Sequence, residues 1–178
     1  MPTDTELHKA AHNGDLGKVK QLIEDGEIAV NEPGAAERRA LHRAAGGNHV
    51  EIMNYLLEKG APVDQTDKSG RTALHWAVIS GHKEATDILL NKDTNLFAVT
   101  SSGSTPFLAG CEGGRVNVVR TLMEKAISLS KLEEMCNAKD ANGKTPFEMA
   151  AAGQHKATCN LLKELGDPNA QSAACVIS

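Results

Sequence analysis

The stretch Leu74-His75-Trp76-Ala77-Val78 appears earlier in the chain as Leu41-His42-Arg43-Ala44-Ala45 and earlier still as Leu7-His8-Lys9-Ala10-Ala11. The offsets between these copies are 33 and 34 residues. A further step of 33 reaches Phe107-Leu108-Ala109-Gly110-Cys111, and a step of 40 reaches Phe147-Glu148-Met149-Ala150-Ala151, so the period survives with one seven-residue insertion. Self-similarity at this spacing is the signature of a repeat array in which each unit buries its apolar face against its neighbour.

About fifteen residues after each anchor comes a second apolar cluster, at Leu22-Ile23, Leu56-Leu57, Leu89-Leu90, Leu122-Met123 and Leu161-Leu162. Each unit therefore reads as two short helices. The break between them falls at Gly14, Asn48, Gly81, Gly114 and Gln154, a position that favours a left-handed residue, so Gln154 fits it least well. Gly70, Gly103 and Gly143 mark tight turns, Thr72, Thr105 and Thr145 stand where a hydroxyl caps the next helix, and Pro106 and Pro146 suit its first turn.

The motif Thr72-Ala73-Leu74-His75-Trp76-Ala77, its variant Thr105-Pro106-Phe107-Leu108-Ala109, and the preceding Asp67-Lys68-Ser69-Gly70 and Asp140-Ala141-Asn142-Gly143 resemble the ankyrin-repeat family. The resemblance implies an all-α solenoid of about five helix-turn-helix repeats joined by β-hairpin loops. It covers an expected domain over residues 1–166, with repeats at about 5–31, 32–64, 65–97, 98–137 and 138–166, followed by a flexible tail over 167–178. It also implies that the motif histidines hydrogen-bond to the backbone of adjoining turns, and that the network weakens where Leu108 and Glu148 replace them.

Composition agrees with this. Only 3% of the 178 residues are aromatic, so the core rests on Ala, Leu, Val and Ile, and small residues let helices approach closely. The net charge of −4, without a basic run longer than Arg38-Arg39, excludes a nucleic-acid platform, where phosphate neutralisation supplies most affinity. No apolar run approaches the ~18 residues needed to cross a bilayer. Four widely spaced cysteines without a Cys-x-x-Cys, and no leader-like N-terminus, predict a reducing, cytoplasmic location.

The departures from the repeat are also readable. Glu37 stands where a turn Gly belongs and Arg39 where a capping Thr belongs, which predicts an irregular, more mobile loop. The seven extra residues fall within Glu124 to Asn137 and predict a longer second helix or a protruding loop. The first unit carries a polar face, as an N-terminal cap would, and Gly166-Asp167-Pro168-Asn169-Ala170 looks like the start of a sixth hairpin.

The seven histidines do not form a metal site, because His8, His42 and His75 occupy equivalent positions on successive helices. Such positions lie about 8–10 Å apart, whereas zinc ligands each lie about 2 Å from the ion. Cys111 and Cys159 read as core filling, and Asn142-Gly143-Lys144-Thr145 lacks the first glycine of a phosphate loop. No catalytic constellation, cofactor or metal is expected. A hydrolase or transferase using Cys136 or Cys175 would rest on the thiols alone.

In ankyrin repeats the residue after the motif His faces partly into a concave groove, so Trp76 and Arg43 are candidate contacts there. Arg38, Arg39, Lys68 and Arg71 make the hairpin rim locally basic, either as a solvated edge or as a dock for an acidic partner. Glu112 completes the candidate protein-binding set. The last residues, Cys175-Val176-Ile177-Ser178, match a C-a-a-X box with a terminal Ser of the farnesylated type. The expectation is a monomeric, non-catalytic adaptor that binds a protein partner through groove and hairpin tips, held peripherally on a cytosolic membrane surface by a farnesyl group on Cys175. The alternative is a soluble ankyrin-repeat inhibitor or chaperone without membrane anchoring.

Overall fold

A computed structural model describes residues 3–172, with side chains through 170. Every regular element among them is helical, and the chain forms two compact units, residues 1–95 and 96–178. In the first, α1 (Glu6–Asn13) pairs with α2 (Leu16–Glu24), α3 (Ala40–Gly46) with α4 (Val50–Glu58), and α5 (Ala73–Ser80) with α6 (Lys83–Leu90). In the second, α7 (Pro106–Glu112) pairs with α8 (Val116–Ser128) and α10 (Pro146–Ala152) with α11 (Lys156–Glu164), while α9 (Leu132–Cys136) and α12 (Pro168–Ser172) are single short turns. The two-helix reading of each repeat holds throughout.

Within the first unit α1 packs on α3 and α3 on α5; within the second, α7 packs on α10. The repeated anchors account for this stacking. Leu7, Leu41 and Leu74 are wholly or almost wholly buried, as are the alanines beside them, Ala11, Ala44, Ala45 and Ala77. Ala carries no side-chain entropy to lose and admits the neighbouring helix closely, while each buried Leu contributes about 1.5–3 kcal/mol.

The motif histidines join each helix start to surrounding backbone. His42 Nδ1 accepts the Arg39 N–H at 2.8 Å, and its Nε2–H donates to the Gln65 carbonyl at 2.8 Å. His8 repeats the arrangement, with Nδ1 taking the Thr5 N–H at 3.2 Å and Nε2 reaching the Arg38 carbonyl at 3.0 Å. An imidazole that accepts at one nitrogen and donates at the other is neutral, and burial enforces that state: it lowers the His8 pKa and pushes His42 down to about 4. A second histidine set staples successive turns, with Nε2 of His49, His82 and His155 donating to the carbonyls of His12, Gly46 and Glu112 at 2.8, 3.1 and 2.8 Å.

The network does not simply fade toward the C-terminus. Leu108 is fully buried and leaves helix capping to the Thr105 hydroxyl alone. Glu148 takes over the imidazole's role, accepting the Thr145 N–H at 2.8 Å, and these bonds lower its pKa.

The loops between repeats are tight turns closed by backbone pairs, with no strand among the described residues. Asp67 N–H bonds to Arg71 C=O, Thr100 to Ser104 and Asp140 to Lys144, and adjacent loops touch through Lys68 N–H to Ala36 C=O and Ala141 N–H to Ser102 C=O. The loop expected to be irregular keeps the closing pair, Gly34 N–H to Arg38 C=O at 2.8 Å, yet is irregular inside it: Ala35–Glu37 form a 3-10 turn in which Ala36 and Glu37 take φ +55° and +58°, where the Asp67 turn has only Gly70 at positive φ. Asp4 stands in for a preceding loop, its carboxylate accepting the Ala35 N–H at 2.9 Å as the Ala36 carbonyl accepts the Lys68 N–H one repeat later. A Cβ at Gly34 would lie 2.6 Å from that carboxylate, which explains the glycine.

The insertion adopts both of its predicted forms. The α8 helix runs 13 residues against nine in α2, α4 and α11, and then turns at Ser130 into α9, whose Met135 and Cys136 are buried. The first residues of the segment 167–178, expected to be a flexible tail, are instead ordered against the fold. Asp167 and Ala170 are buried, α12 follows, and Asn169 Nδ2 donates to the Cys136 carbonyl, because the α9 insertion offers the segment a surface to pack on. The Cys175 box lies outside the described residues.

Two consequences can be measured. Gly114 sits at φ +62°, and a Cβ there would lie 2.5 Å from His155 Nδ1, so Gly114→Ala should cost about 1–3 kcal/mol. Gln154 holds φ +58° at the equivalent position, so Gln154→Gly should gain up to about 1 kcal/mol; urea unfolding showing the two shifts in the same direction would contradict this. The second concerns pH. His42 binds a proton more readily unfolded, near 6.5, than folded, near 4, so stability is full above pH 6.5 and falls as pH drops toward 4, by at most about 3 kcal/mol. His42→Gln should lower stability at pH 7.5 yet shrink the loss between pH 7.5 and 5 by about 2 kcal/mol, and an unchanged pH slope would refute the assignment.

Candidate protein-binding surface

The most concentrated chemistry lies in the first unit around the single tryptophan. Trp76 sits half-buried on α5 and its indole N–H donates to Asp67 Oδ2 at 3.2 Å. The other oxygen of Asp67 accepts the backbone N–H groups of Ser69 and Arg71 at 2.8 and 3.0 Å, so one nearly sealed carboxylate fixes both the turn and the ring. Two guanidiniums lie against that ring, Arg38 with Cζ 4.7 Å and Arg71 with Cζ 5.5 Å from its centroid. Arg38 Nε also lies 4.0 Å from Asp67 Oδ2. Such cation–π contacts contribute about 0.5–2 kcal/mol each and hold the arginines extended.

Beside the ring is a pocket of about 110 Å³ lined by Arg38, Arg43, Trp76, His12, His42 and Ser80. Arg43, at the position equivalent to Trp76 one repeat earlier, pairs with Asp4. Arg39 Nη1 donates to the Glu37 carbonyl at 3.1 Å. Lys68 is exposed at the turn, and neither it nor Arg71 has an ion pair or side-chain hydrogen bond among the described residues. Of the sequence candidates, Arg38, Arg43, Arg71 and Trp76 are thus brought together, Arg39 and Lys68 flank them, and Glu112 stands exposed in the other unit with its carbonyl held by His155.

Sequence reasoning missed Asp4, which lies before the first repeat and carries no motif, although it orders both Arg43 and the second loop. Asp67 was visible only as a turn residue; its bond to Trp76 nine positions later needs the folded geometry.

Among the described residues, Cys111 and Cys136 are poor nucleophiles. Burial pushes Cys111 well up and Cys136 up to about 12, so neither is a thiolate at neutral pH. No cluster of three His, Cys, Asp or Glu among the described residues can hold a metal ion. No described helix is long and apolar enough to cross a membrane.

Comparison with known proteins agrees with the geometry. A family model of ankyrin repeats in three copies matches residues 7–98, and another, of ankyrin repeats in many copies, matches residues 74–123. Ankyrin repeat domain-containing protein 39 of Homo sapiens is 41% identical over 64 residues, which are 36% of this chain and 34% of that protein. Alpha-latrocrustotoxin-Lt1a of Latrodectus tredecimguttatus is 38% identical over 61 residues, 34% of this chain and 4% of the toxin. The match thus spans about a third of the first relative and a small part of the second. Ankyrin repeats are in general non-catalytic modules for protein–protein interaction. With histidine-capped helix pairs, hairpin-like turns and a family match over more than half its length, the chain belongs to the ankyrin-repeat family.

Proposed function

We propose that this protein is a non-catalytic adaptor that binds a protein partner through the Trp76 face of its first unit. The carrying observation is the half-buried indole with Arg38 and Arg71 against it, beside a pocket. Tryptophan and arginine dominate binding energy at interfaces when they are rigid and centrally placed. Here Asp67 and Asp4 hold them before any partner arrives, which lowers the ordering cost of association. Lys68 and Arg39 extend the surface as rim contacts, and Glu112 is a separate candidate contact on the second unit.

The finer part of the proposal is tethering to a cytosolic membrane face. Cys175-Val176-Ile177-Ser178 has the residue types of a prenylation box, which a transferase reads only at a free carboxyl terminus, so this part requires Ser178 to be the protein's last residue. One lipid chain gives marginal, reversible attachment, and no polybasic cluster precedes Cys175 to reinforce it. The partner bound at Trp76 would supply the second attachment.

The test uses the full chain expressed in eukaryotic cells, with Trp76→Ala and Cys175→Ser beside it. Capture of a partner should fall at least tenfold in Trp76→Ala while helical circular dichroism is kept, as expected for the loss of a hot-spot residue. Intact mass should carry a farnesyl increment only when Cys175 is present, with membrane recovery following it. Capture unaffected by Trp76→Ala would refute the binding face, and an unmodified mass would leave a soluble adaptor.

A further inference from the structure

The pocket beside Trp76 is too small for a metabolite. Ligand sites for small molecules occupy about 300–1,000 Å³, against about 110 Å³ here. That is room for one side chain. Its lining is unusual for an acidic chain: it contains Arg38 and Arg43 with His12 and His42, and no carboxylate. The carboxylates near it are already committed, Asp67 to the turn and the indole, Asp4 to Ala35 N–H and Arg43. Each guanidinium has five N–H donors in a fixed fork, so this anchoring uses only part of its capacity. The buried Nε–H groups of Arg38 and Arg43 have no hydrogen-bond acceptor among the described residues.

Arg71 lies against the Trp76 ring and Lys68 is exposed on the same turn, and neither side chain has a carboxylate partner among the described residues. Five cations, Arg38, Arg39, Arg43, Lys68 and Arg71, thus meet three carboxylates, Asp4, Glu37 and Asp67, on a protein whose overall charge is −4. An aromatic wall flanked by two stacked guanidiniums suits a side chain with a short apolar stem and a terminal carboxylate, since stacked arginines bind carboxylates through paired N–H donors.

We infer that this pocket takes a glutamate or aspartate side chain from an acidic peptide segment of the partner, with Arg71 and Lys68 holding the neighbouring acidic residues. The inference rests on the adaptor reading and names the partner chemistry of the same surface. It commits to a carboxylate peptide rather than a phosphate group, because the apolar wall of Trp76 and the small volume favour a stemmed carboxylate over a hydrated tetrahedral anion.

Because Trp76 is the only tryptophan, its emission reports this pocket alone. The full chain is titrated with hexaglutamate, hexaglutamine and inorganic phosphate, in parallel with Arg71→Gln, Lys68→Gln and, as a control in the other unit, Lys156→Gln. Hexaglutamate should change Trp76 emission saturably, with affinity at least threefold weaker in Arg71→Gln and Lys68→Gln and unchanged in Lys156→Gln; hexaglutamine should have no effect. The absence of a saturable change, an equal response to hexaglutamine, or equal affinity across all three variants would overturn the inference, and a response to phosphate alone would overturn the choice of a carboxylate. If a partner is captured in a Trp76-dependent way and hexaglutamate neither binds nor displaces it, the acidic-peptide inference fails while the adaptor reading stands. If no Trp76-dependent partner is found, the adaptor reading fails, and the hexaglutamate titration still decides the pocket's chemistry.

Discussion

A neutral imidazole that accepts from one backbone group and donates to another is the interaction on which the rest of the first unit depends. A seven- or eight-residue helix is too short to be stable alone in water, and its first N–H groups have no partner within it. His8 and His42 answer both needs. Each satisfies an N–H at the start of its own helix and binds a carbonyl of the adjoining chain, Arg38 or Gln65. The constraint is double, since a proton on Nδ1 would break the first bond and bury a charge. Water exclusion by the surrounding leucines and alanines is therefore part of the same device.

The binding surface grows out of that frame. His8 fixes the Arg38 carbonyl, so the backbone that carries the first guanidinium is held from the repeat before it. Arg38 then lies on Trp76 of the repeat after it. Asp67 ties the ring to its own turn, and that turn touches the preceding one through Lys68 and Ala36. Residues from three successive repeats converge on one pocket because backbone contacts, rather than long side chains, set their spacing. A surface made this way is rigid, and rigid aromatic and arginine side chains lose little entropy on binding.

The architecture was legible because the repeat repeats. Five copies of an apolar anchor at a fixed interval, with turn residues in register, give helix pairs and their order without any knowledge of contacts. The local substitutions were harder. Glu37 and Gln154 occupy left-handed positions that their side chains disfavour, yet the flanking hydrogen bonds dictate the backbone and the residue complies. The segment from Asp167 reads in sequence as the start of a sixth hairpin leading into a tail, and its docking is not legible there because its packing surface, α9, exists only through an insertion with no counterpart in other repeats. At the binding surface, Trp76 and the basic residues announced themselves by type and place. Their shared anchor, Asp67, and the role of Asp4 did not, since both rest on contacts spanning nine and 39 residues.

The fold of the first unit stands on the imidazole state, and nitrogen-15 chemical shifts of the histidine rings in the full chain at pH 7 report that state directly. His8 and His42 should show a protonated Nε2 and an unprotonated, hydrogen-bonded Nδ1, with no change in His42 down to pH 5.5 and with burial holding the His8 pKa below its ordinary value. Rings that exchange between tautomers, or titrate near 6.5 while the Trp76 emission and the helical signal stay constant, would contradict it. In that case the repeats would be held by apolar packing alone, and the arginine–tryptophan surface would lose its fixed support.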